Sequence, residues 1–241
     1  MKSMLFKWFY NSFGLFVRAI QKSLSQANAQ SDFVYLMHQQ ALKETVEFVS
    51  NNLGKAVMFS SREKLWDYCI EKILELRAEP DLTVLEFGVY KGQSINVIAR
   101  KLPKSRIYGF DSFEGLEEDW SGYLMIKGAF STDGSVPKCR SNVELVKGWY
   151  TDTLPKFLEK STASQVHLLH MDSDTFTPTI YVLKSLLVML KKGSIVIFDE
   201  YFGYQGWKQH EYKAWEEIVS TNNIRYRYIG YTNVQVAIEI L

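Results

Sequence analysis

Apolar residues change their spacing at about residue 80, which divides the chain into two parts. Before that point they recur at helical intervals, most clearly in "SSREKLWDYCIEKILELR", where Leu65, Cys69, Ile73 and Leu76 share one face. Ser60 followed by Glu63 has the spacing of a capping box. The first proline, Pro80, lies in "AEPD". Residues 1–80 are therefore predicted to be helical, with a helix end near this proline.

From residue 83 onward, short apolar runs alternate with helical segments. The strand candidates are "TVLEFGV", "RIYGFDSF", "VELVKGWY", "QVHLLHMDSD", "GSIVIFDEY", "RYRYIGY" and "VQVAIEIL". Helices are predicted at 93–101, 153–161, 177–191 and 207–220. In the third helix Thr177 is the expected N-cap, Pro178 takes the first helical position and Gly193 follows the end.

This alternation predicts a parallel sheet. Strands separated by helices form βαβ units with right-handed crossovers, whereas the last two strands are joined too closely for a crossover and should be antiparallel. We therefore expect an α/β fold: a doubly wound, seven-stranded, Rossmann-like sheet with one antiparallel strand near the edge, preceded by N-terminal helices. Residues 1–57 form the expected N-terminal segment and 58–241 the main domain. Residues 112–142 are a long polar insertion of the kind that carries function.

Composition narrows the classes of protein. The chain has 241 residues, which suits one large α/β domain, and its net charge of +1 argues against a nucleic-acid surface. Its two cysteines, Cys69 and Cys139, are not in C-x-x-C spacing, which excludes a disulfide scaffold and a zinc site. No apolar run is long enough to span a bilayer. We expect a soluble, cytoplasmic protein.

The N-terminus is basic and aromatic. Residues 1–31 contain Lys2, Lys7, Arg18 and Lys22 and no acid. Lys7 and Arg18 interrupt any signal-peptide core. Two interpretations remain for residues 1–25: an interfacial helix on anionic lipid, giving peripheral membrane contact, or a lid that covers an apolar surface of its own domain or of a partner in a homo-oligomer. The second is favoured.

Carboxylates stand at the ends of four strand candidates. They are Glu86, Asp111, Asp172 with Asp174, and Asp199 with Glu200. In doubly wound sheets ligands bind beyond the carboxyl ends of the strands, so this placement favours a functional site.

The first two acids indicate a nucleoside ligand. Gly88 and Gly92 lie at a strand-to-helix turn, where missing Cβ atoms let a ligand approach the backbone. Asp111 ends the next strand, where an acid accepts the hydroxyls of a ribose. The glycine spacing matches neither the dinucleotide fingerprint nor the P-loop. The pattern therefore favours a cationic ligand with a ribose and no phosphate.

The remaining four acids indicate a metal. "HMDSD" and "FDEY" bring Asp172, Asp174, Asp199 and Glu200 to the ends of neighbouring strands. Like charges so close together need a cation, and carboxylate oxygens suit Mg²⁺ or another hard divalent ion.

The motifs "EFGVYKGQS" and "YGFDSFEGL" resemble those of the class I S-adenosylmethionine-dependent methyltransferases. With "GWYTDTLP", "HMDSD" and "GSIVIFDEY" they are similar, over about 83–203, to the macrocin O-methyltransferase (TylF-type) family of metal-dependent sugar O-methylators. The resemblance implies a cofactor site in which Glu86, Ser94 and the Gly88–Gly92 loop hold the methionine moiety. Asp111 would hold the ribose and Trp149 would flank the adenine. The full set of cofactor contacts that it implies is Glu86, Gly88, Gly92, Ser94, Asp111, Ser112, Trp149 and Asp172.

For the reaction, the resemblance implies Asp172, Asp199 and Glu200 as metal ligands and Asp174 as the general base, with His210 as a rival base. His170 is interpreted as a core histidine. The family usually has two adjacent aspartates where this chain has Asp199 and Glu200, and "DGDLY" where it has "DSDTF".

The expected acceptor is a hydroxyl of a sugar or of a natural-product glycoside. Trp120, Tyr204 and Trp207 are candidates for an aromatic acceptor pocket. Two alternatives stay open: a metal-independent methyltransferase for a lipid-like or phenolic acceptor, and a non-catalytic S-adenosylmethionine-binding subunit.

Overall fold

The computed structural model describes residues 32–77 and 82–241. The predictions for residues 1–25 lie outside these ranges, as do most of those for the N-terminal segment 1–57. The first described element is a helix, α1, over residues 32–52. A two-residue strand, β1 (Val57–Met58), and helix α2 (Arg62–Leu76) follow.

Helix α2 begins one residue later than its capping pattern predicts. Ser61, and not Ser60, is the N-cap, and its hydroxyl accepts a hydrogen bond from the backbone N–H of Lys64 at 3.4 Å. Leu65, Trp66, Cys69, Ile70 and Ile73 are buried, so the predicted helical face does pack into the core.

All seven predicted strands are present. They are β2 (Val84–Phe87), β3 (Ile107–Asp111), β4 (Val143–Lys147), β5 (Leu168–Met171), β6 (Ile195–Phe198), β7 (Tyr226–Tyr231) and β8 (Val236–Ile240). The strand order is β1-β7-β8-β6-β5-β2-β3-β4, and only β8 runs antiparallel to its neighbours. Among the described residues the predicted count of seven strands is corrected to eight, because β1 pairs with β7. A two-residue strand is too short to show the alternation of apolar and polar residues that predicts a strand.

Helices cover both faces of the sheet. They are α3 (Gln93–Lys101), α4 (Tyr150–Lys160), α5 (Phe176–Leu186) and α6 (Glu211–Asn222). Helix α5 differs from its prediction: its N-cap is Thr175, so Thr177 and Pro178 lie inside the first turn. It also ends at Leu186 and passes into a 3-10 turn, Leu187–Met189, and does not continue to residue 191.

Helix α1 packs on the main domain. The hydroxyl of Thr45 accepts a hydrogen bond from the backbone N–H of Gly203 at 3.0 Å. The ring of Phe48 lies edge-on to Trp207 and Tyr212, with centroids 5.5 and 5.4 Å apart. Phe48 and Val49 of α1 thus pack against the hydrophobic core of the sheet. No helix in the described ranges is long and apolar enough to cross a bilayer.

The insertion at 112–142 has no helix or strand, but it is held by its own backbone. The N–H of Leu116 donates to the carbonyl of Ala129 at 2.9 Å, and that of Trp120 donates to Met125 at 3.1 Å. At its far end, Gly122 approaches Gly206 so closely that a Cβ on Gly122 would lie 3.0 Å from the Cα of Gly206. The insertion therefore folds back against the segment that follows β6.

Candidate active site

A cavity of about 400 Å³ opens at the carboxyl ends of β2, β3, β5 and β6. This is the edge at which ligands bind in doubly wound sheets. Its lining is Arg62, Gly88, Tyr90, Asp111, Ser112, Gly115, Leu116, Glu117, Trp120, Tyr123, Met125, Phe130, Trp149, Tyr150, Asp172, Ser173, Asp174, Thr175, Pro178, Asp199, Glu200, Tyr204 and Val234. The predicted edge acids Asp111, Asp172, Asp174, Asp199 and Glu200 thus meet in one cavity.

Gly88 is required by the close approach of two strand ends. Its φ is +94°, and a Cβ at this position would overlap the backbone carbonyl oxygen of Asp172. Its neighbour in the motif, Gly92, caps α3 with a φ of +77° and does not line the cavity. Of the two glycines, Gly88 contributes its backbone to the cavity wall, whereas Gly92 is the N-cap of α3.

Asp111 organises the loop that follows β2. One carboxylate oxygen accepts the N–H groups of Val89 and Tyr90 at 2.8 and 2.7 Å, and the other accepts that of Phe113 at 2.7 Å. A carboxylate offers about four lone-pair sites, so these bonds leave it capacity for a ligand hydroxyl. Binding of a ribose by Asp111 stays a prediction.

Glu86 has a different set of partners from the one its motif suggests. It is fully buried, accepts a hydrogen bond from the Ser94 hydroxyl at 2.8 Å, and lies 3.1 Å from Nδ1 of His170. Neither Glu86 nor Ser94 lines the cavity. The structure thus places both behind the wall, and their direct contact with a ligand stays a prediction.

His170 is buried, as predicted, but it is also an ion-pair partner. It lies opposite Glu86 in the register of β2 and β5, and its Nε2 is 3.2 Å from Oδ1 of Asp199. Burial alone would lower the pKa of His170, but hydrogen bonds and charge from Asp199 and Glu86 raise it well above its usual value. A charged imidazolium therefore connects the acid of β2 to the acid after β6.

Asp199 is held by two donors. Besides His170, the side-chain amide of Gln235 on the loop before β8 donates to the same Oδ1. Burial would raise the pKa of Asp199, but the hydrogen bond and charge of His170 hold it below the usual value. Asp199 is thus ionised, with its second oxygen free of His170 and Gln235.

The other acids of the cavity lie close enough together to raise one another's pKa. Ligand oxygens of Asp172, Asp174 and Glu200 lie within 4.8 Å of one another, and so do ligand atoms of His170, Asp172 and Asp199. Burial first, and then the neighbouring carboxylates, raise the pKa of Asp172 and of Glu200 well above the usual range. For Asp174 the same causes raise the pKa to about 8.

A further acid, Glu211, was not predicted from the sequence. It is the first residue of α6, is fully buried, and accepts the backbone N–H of Glu200 at 3.0 Å. Its other oxygen and Oε2 of Glu200 have no hydrogen-bond partner among the described residues. In a sequence, an acid at the first position of a helix is normally interpreted as an exposed residue that stabilises the helix end. Only the fold shows that Glu211 supports the site.

These residues fit a hard divalent cation. The donors are carboxylate oxygens, and the buried Oε2 of Glu200 has no hydrogen-bond partner within residues 32–77 and 82–241. No lysine is among the residues that line the cavity, so the acids are not neutralised by one. Asp172 belongs to both groups of potential metal ligands. One group also contains Asp174 and Glu200, and the other also contains His170 and Asp199.

Aromatic side chains form the opposite wall. Trp120 of the insertion lies 4.9 Å from Tyr123 and 5.5 Å from Tyr204, measured between ring centroids, and all three line the cavity. Trp149 and Ser112 also line the cavity, beside Tyr150, and their contact with a cofactor stays a prediction. Trp207 lies instead in the core under Phe48, because the 3-10 turn that carries it points it inward.

His210 is tied to the insertion and does not line the cavity. Its Nε2 donates to the backbone carbonyl of Ser121 at 2.7 Å, and burial lowers its pKa. The geometry places Asp174, and not His210, on the cavity wall.

Comparisons with known proteins agree with this geometry. Residues 85–201 match a family model described as "Methyltransferase domain". A curated relative, "8-demethyl-8-(2,3-dimethoxy-alpha-L-rhamnosyl)-tetracenomycin-C 4'-O-methyltransferase" of Streptomyces olivaceus, is 26% identical over 160 residues. That match covers 56% of this chain and 58% of the relative.

Two solved structures share the fold. The calicheamicin methyltransferase CalS11 has a TM-score of 0.60 at 22% identity, covering 85% of this chain and 91% of its own. The O-methyltransferase NovP has a TM-score of 0.57 at 20% identity, covering 74% of this chain and 78% of its own. The expected α/β methyltransferase fold is confirmed. Residues 85–201 are thus similar to a methyltransferase domain, and the resemblance of the chain to the class I S-adenosylmethionine-dependent methyltransferases is confirmed.

Proposed function

We propose that this chain is an S-adenosylmethionine-dependent O-methyltransferase that methylates a hydroxyl of a sugar or of a glycosylated small molecule, with help from a divalent cation. One observation carries the proposal: Asp111 and the acids after β5 and β6 line the same cavity. The name of the curated relative, a 4'-O-methyltransferase for a rhamnosyl-bearing tetracenomycin, supports the sugar acceptor. Membership of the TylF-type family is part of this proposal.

Binding of the methyl donor would use the two ends of the cavity. Asp111 and Ser112 would take the ribose hydroxyls, Trp149 and Tyr150 would flank the adenine, and Gly88 would let the ligand approach the backbone. S-adenosylmethionine supplies an electrophilic methyl group on a sulfonium. The nearby carboxylates suit this cationic ligand, since they lower its electrostatic energy in the cavity.

Asp172, Asp199 and Glu200 would hold the cation, which when bound lowers the pKa of the acceptor hydroxyl. Asp174 would take the proton from that hydroxyl. A pKa of about 8 keeps Asp174 partly protonated at neutral pH, and a nearby positive charge would lower it and free the base form. The aromatic wall of Trp120, Tyr123 and Tyr204 would position the sugar and exclude water.

The test is methyl transfer from labelled S-adenosylmethionine to a panel of glycosides, phenols and lipids, with Mg²⁺ and with EDTA. We expect transfer to at least one glycoside that is lost in EDTA and restored by Mg²⁺. The variant Asp174→Asn should bind S-adenosylhomocysteine as tightly as the native chain and transfer no methyl group. Full activity in EDTA would contradict metal assistance, and binding of the donor without transfer to any acceptor would favour a non-catalytic subunit.

The N-terminal predictions remain part of the proposal. Residues 1–31 carry four basic side chains and many aromatic ones, which supports peripheral contact with anionic lipid or a homo-oligomer interface. Co-sedimentation with anionic vesicles and light scattering, each with the full chain and with a chain that starts at Gln26, would separate the two.

A further inference from the structure

Arg62 is a positive side chain on an otherwise acidic cavity wall. The cavity is lined by the acids Asp111, Glu117, Asp172, Asp174, Asp199 and Glu200. Among the described residues of this lining, Arg62 alone carries a permanent positive charge. No motif in the sequence points to Arg62, because a charged residue is common in the first turn of an amphipathic helix.

The fold fixes Arg62 beside the loop after β2. It is the first residue of α2, and its Nη2 donates to the side-chain oxygen of Gln93 at 2.9 Å. Gln93 begins α3 directly after Gly92, so the guanidinium lies where the glycine loop becomes a helix. The guanidinium carbon is also 5.3 Å from the centroid of the Trp66 ring. These contacts hold the side chain in place near the cavity.

This guanidinium keeps binding capacity for a ligand. It has five N–H donors, and one of them is used by Gln93. Glu63 is a poor partner, since its carboxylate lies 3.7 Å from Nε and is itself largely solvated. The positive charge of Arg62 also reaches the cavity floor, where it contributes to the lowered pKa of Asp199.

The methyl donor needs such a group. S-adenosylmethionine carries an α-carboxylate on its methionine part, and this carboxylate needs a positive partner in a cavity whose other titratable lining side chains include six acids. A guanidinium binds a carboxylate through two parallel hydrogen bonds, which gives both strength and orientation. We propose that Arg62 binds the α-carboxylate of the methionine part of S-adenosylmethionine and so sets the direction in which the methyl group points. This inference rests on the proposed function.

A competing role is that Arg62 only balances the charge of Asp199. The two roles differ in which ligands they affect. Loss of charge balance would change the affinity of every ligand of the cavity, whereas loss of a carboxylate contact affects only ligands that contain the carboxylate.

The experiment uses two ligands that share a nucleoside thioether. S-adenosylhomocysteine has the amino-acid carboxylate, and 5′-deoxy-5′-methylthioadenosine lacks the whole amino-acid part. Calorimetric titration of Arg62→Gln should show affinity for S-adenosylhomocysteine reduced about 10- to 100-fold, the range expected for a lost charge-assisted contact. Affinity for methylthioadenosine should change less than about twofold. Arg62→Lys should recover part of the loss, because it keeps the charge but not the paired geometry.

Lys64→Gln is the matched control, since Lys64 is exposed on the same helical turn and does not line the cavity. It should bind both ligands like the native chain. An equal loss for both ligands in Arg62→Gln, or no loss for S-adenosylhomocysteine, would overturn the carboxylate contact. If the native chain bound neither ligand, the proposed function itself would fail, and the role of Arg62 with it.

Discussion

Asp174 should make the stability of the metal-free protein fall as the pH rises. Its pKa is raised from 3.8 to about 8, first by burial and then by the charges of Asp199 and Asp111. The folded chain therefore holds a proton on Asp174 at pH values where the unfolded chain has lost it. Between about pH 4 and pH 8 the native state binds more protons than the unfolded state, so the free energy of unfolding decreases with increasing pH.

The size of this change in the free energy of unfolding follows from the shift in the pKa of Asp174. Each pH unit inside this interval costs about 1.4 kcal/mol for one proton. From pH 5 to pH 8, which is three units, Asp174 can therefore lower the free energy of unfolding by about 4 kcal/mol at most. A loss of about 2 kcal/mol is the expected value, because Asp174 lines an open cavity and its charged neighbours share the proton.

The variant Asp174→Asn removes this titration and keeps the shape of the side chain. Urea unfolding of both chains in EDTA at pH 5 and pH 8 should show a decrease that is smaller in the variant by about 2 kcal/mol. Adding Mg²⁺ at pH 8 should stabilise the native chain more than the variant. The same change with pH in both chains would refute the reasoning, and so would a native chain that becomes more stable at pH 8 relative to the variant.

Three further substitutions test other parts of the site. Gly88→Ala should abolish binding of the methyl donor and lower the free energy of unfolding by about 3 kcal/mol or more, since the added Cβ would overlap the backbone of Asp172. Titration calorimetry would show the loss of binding, and melts followed by circular dichroism would show the loss of stability. His170→Asn should destabilise the fold by about 3–5 kcal/mol, because it leaves buried carboxylates unpaired; chemical unfolding at pH 7 measures this, and a loss below 1 kcal/mol would contradict the ion pair. His210→Ala should raise the KM for the acceptor through the loosened insertion with kcat retained within about threefold, and a 100-fold loss of kcat would instead make His210 the base.

The pattern of apolar and polar residues was sufficient to predict the arrangement of the sheet. Short apolar runs separated by helical segments predict seven strands in the correct places, because parallel strands buried on both faces must be continuously apolar. The antiparallel β8 also followed from the sequence, since the connection from β7 is too short for a crossover. Helix ends were less accurate: Ser61 and Thr175 each lie within two residues of the predicted caps, as local capping patterns often shift by a residue or two.

Side-chain partners required the tertiary structure. The sequence placed Glu86 at a strand end, but only the register of β2 and β5 shows that it faces His170, which in turn reaches Asp199. Likewise the sequence does not distinguish the roles of Trp207 and Tyr204 in "GYQGW": both are buried, but only Tyr204 lines the cavity.

The sequence by itself determined which edge of the sheet carries the acids, because strand ends are set by local apolar runs and all parallel strands end on the same side. The tertiary structure decided how those acids are paired. Glu211 and Arg62 come from helices outside the motifs that they support, and an electrostatic environment depends on distances in space that no local pattern contains. For the same reason the glutamate within the buried β2 is a partner of His170 behind the cavity wall, while Gly88, Asp111 and the acids after β5 and β6 form the wall itself.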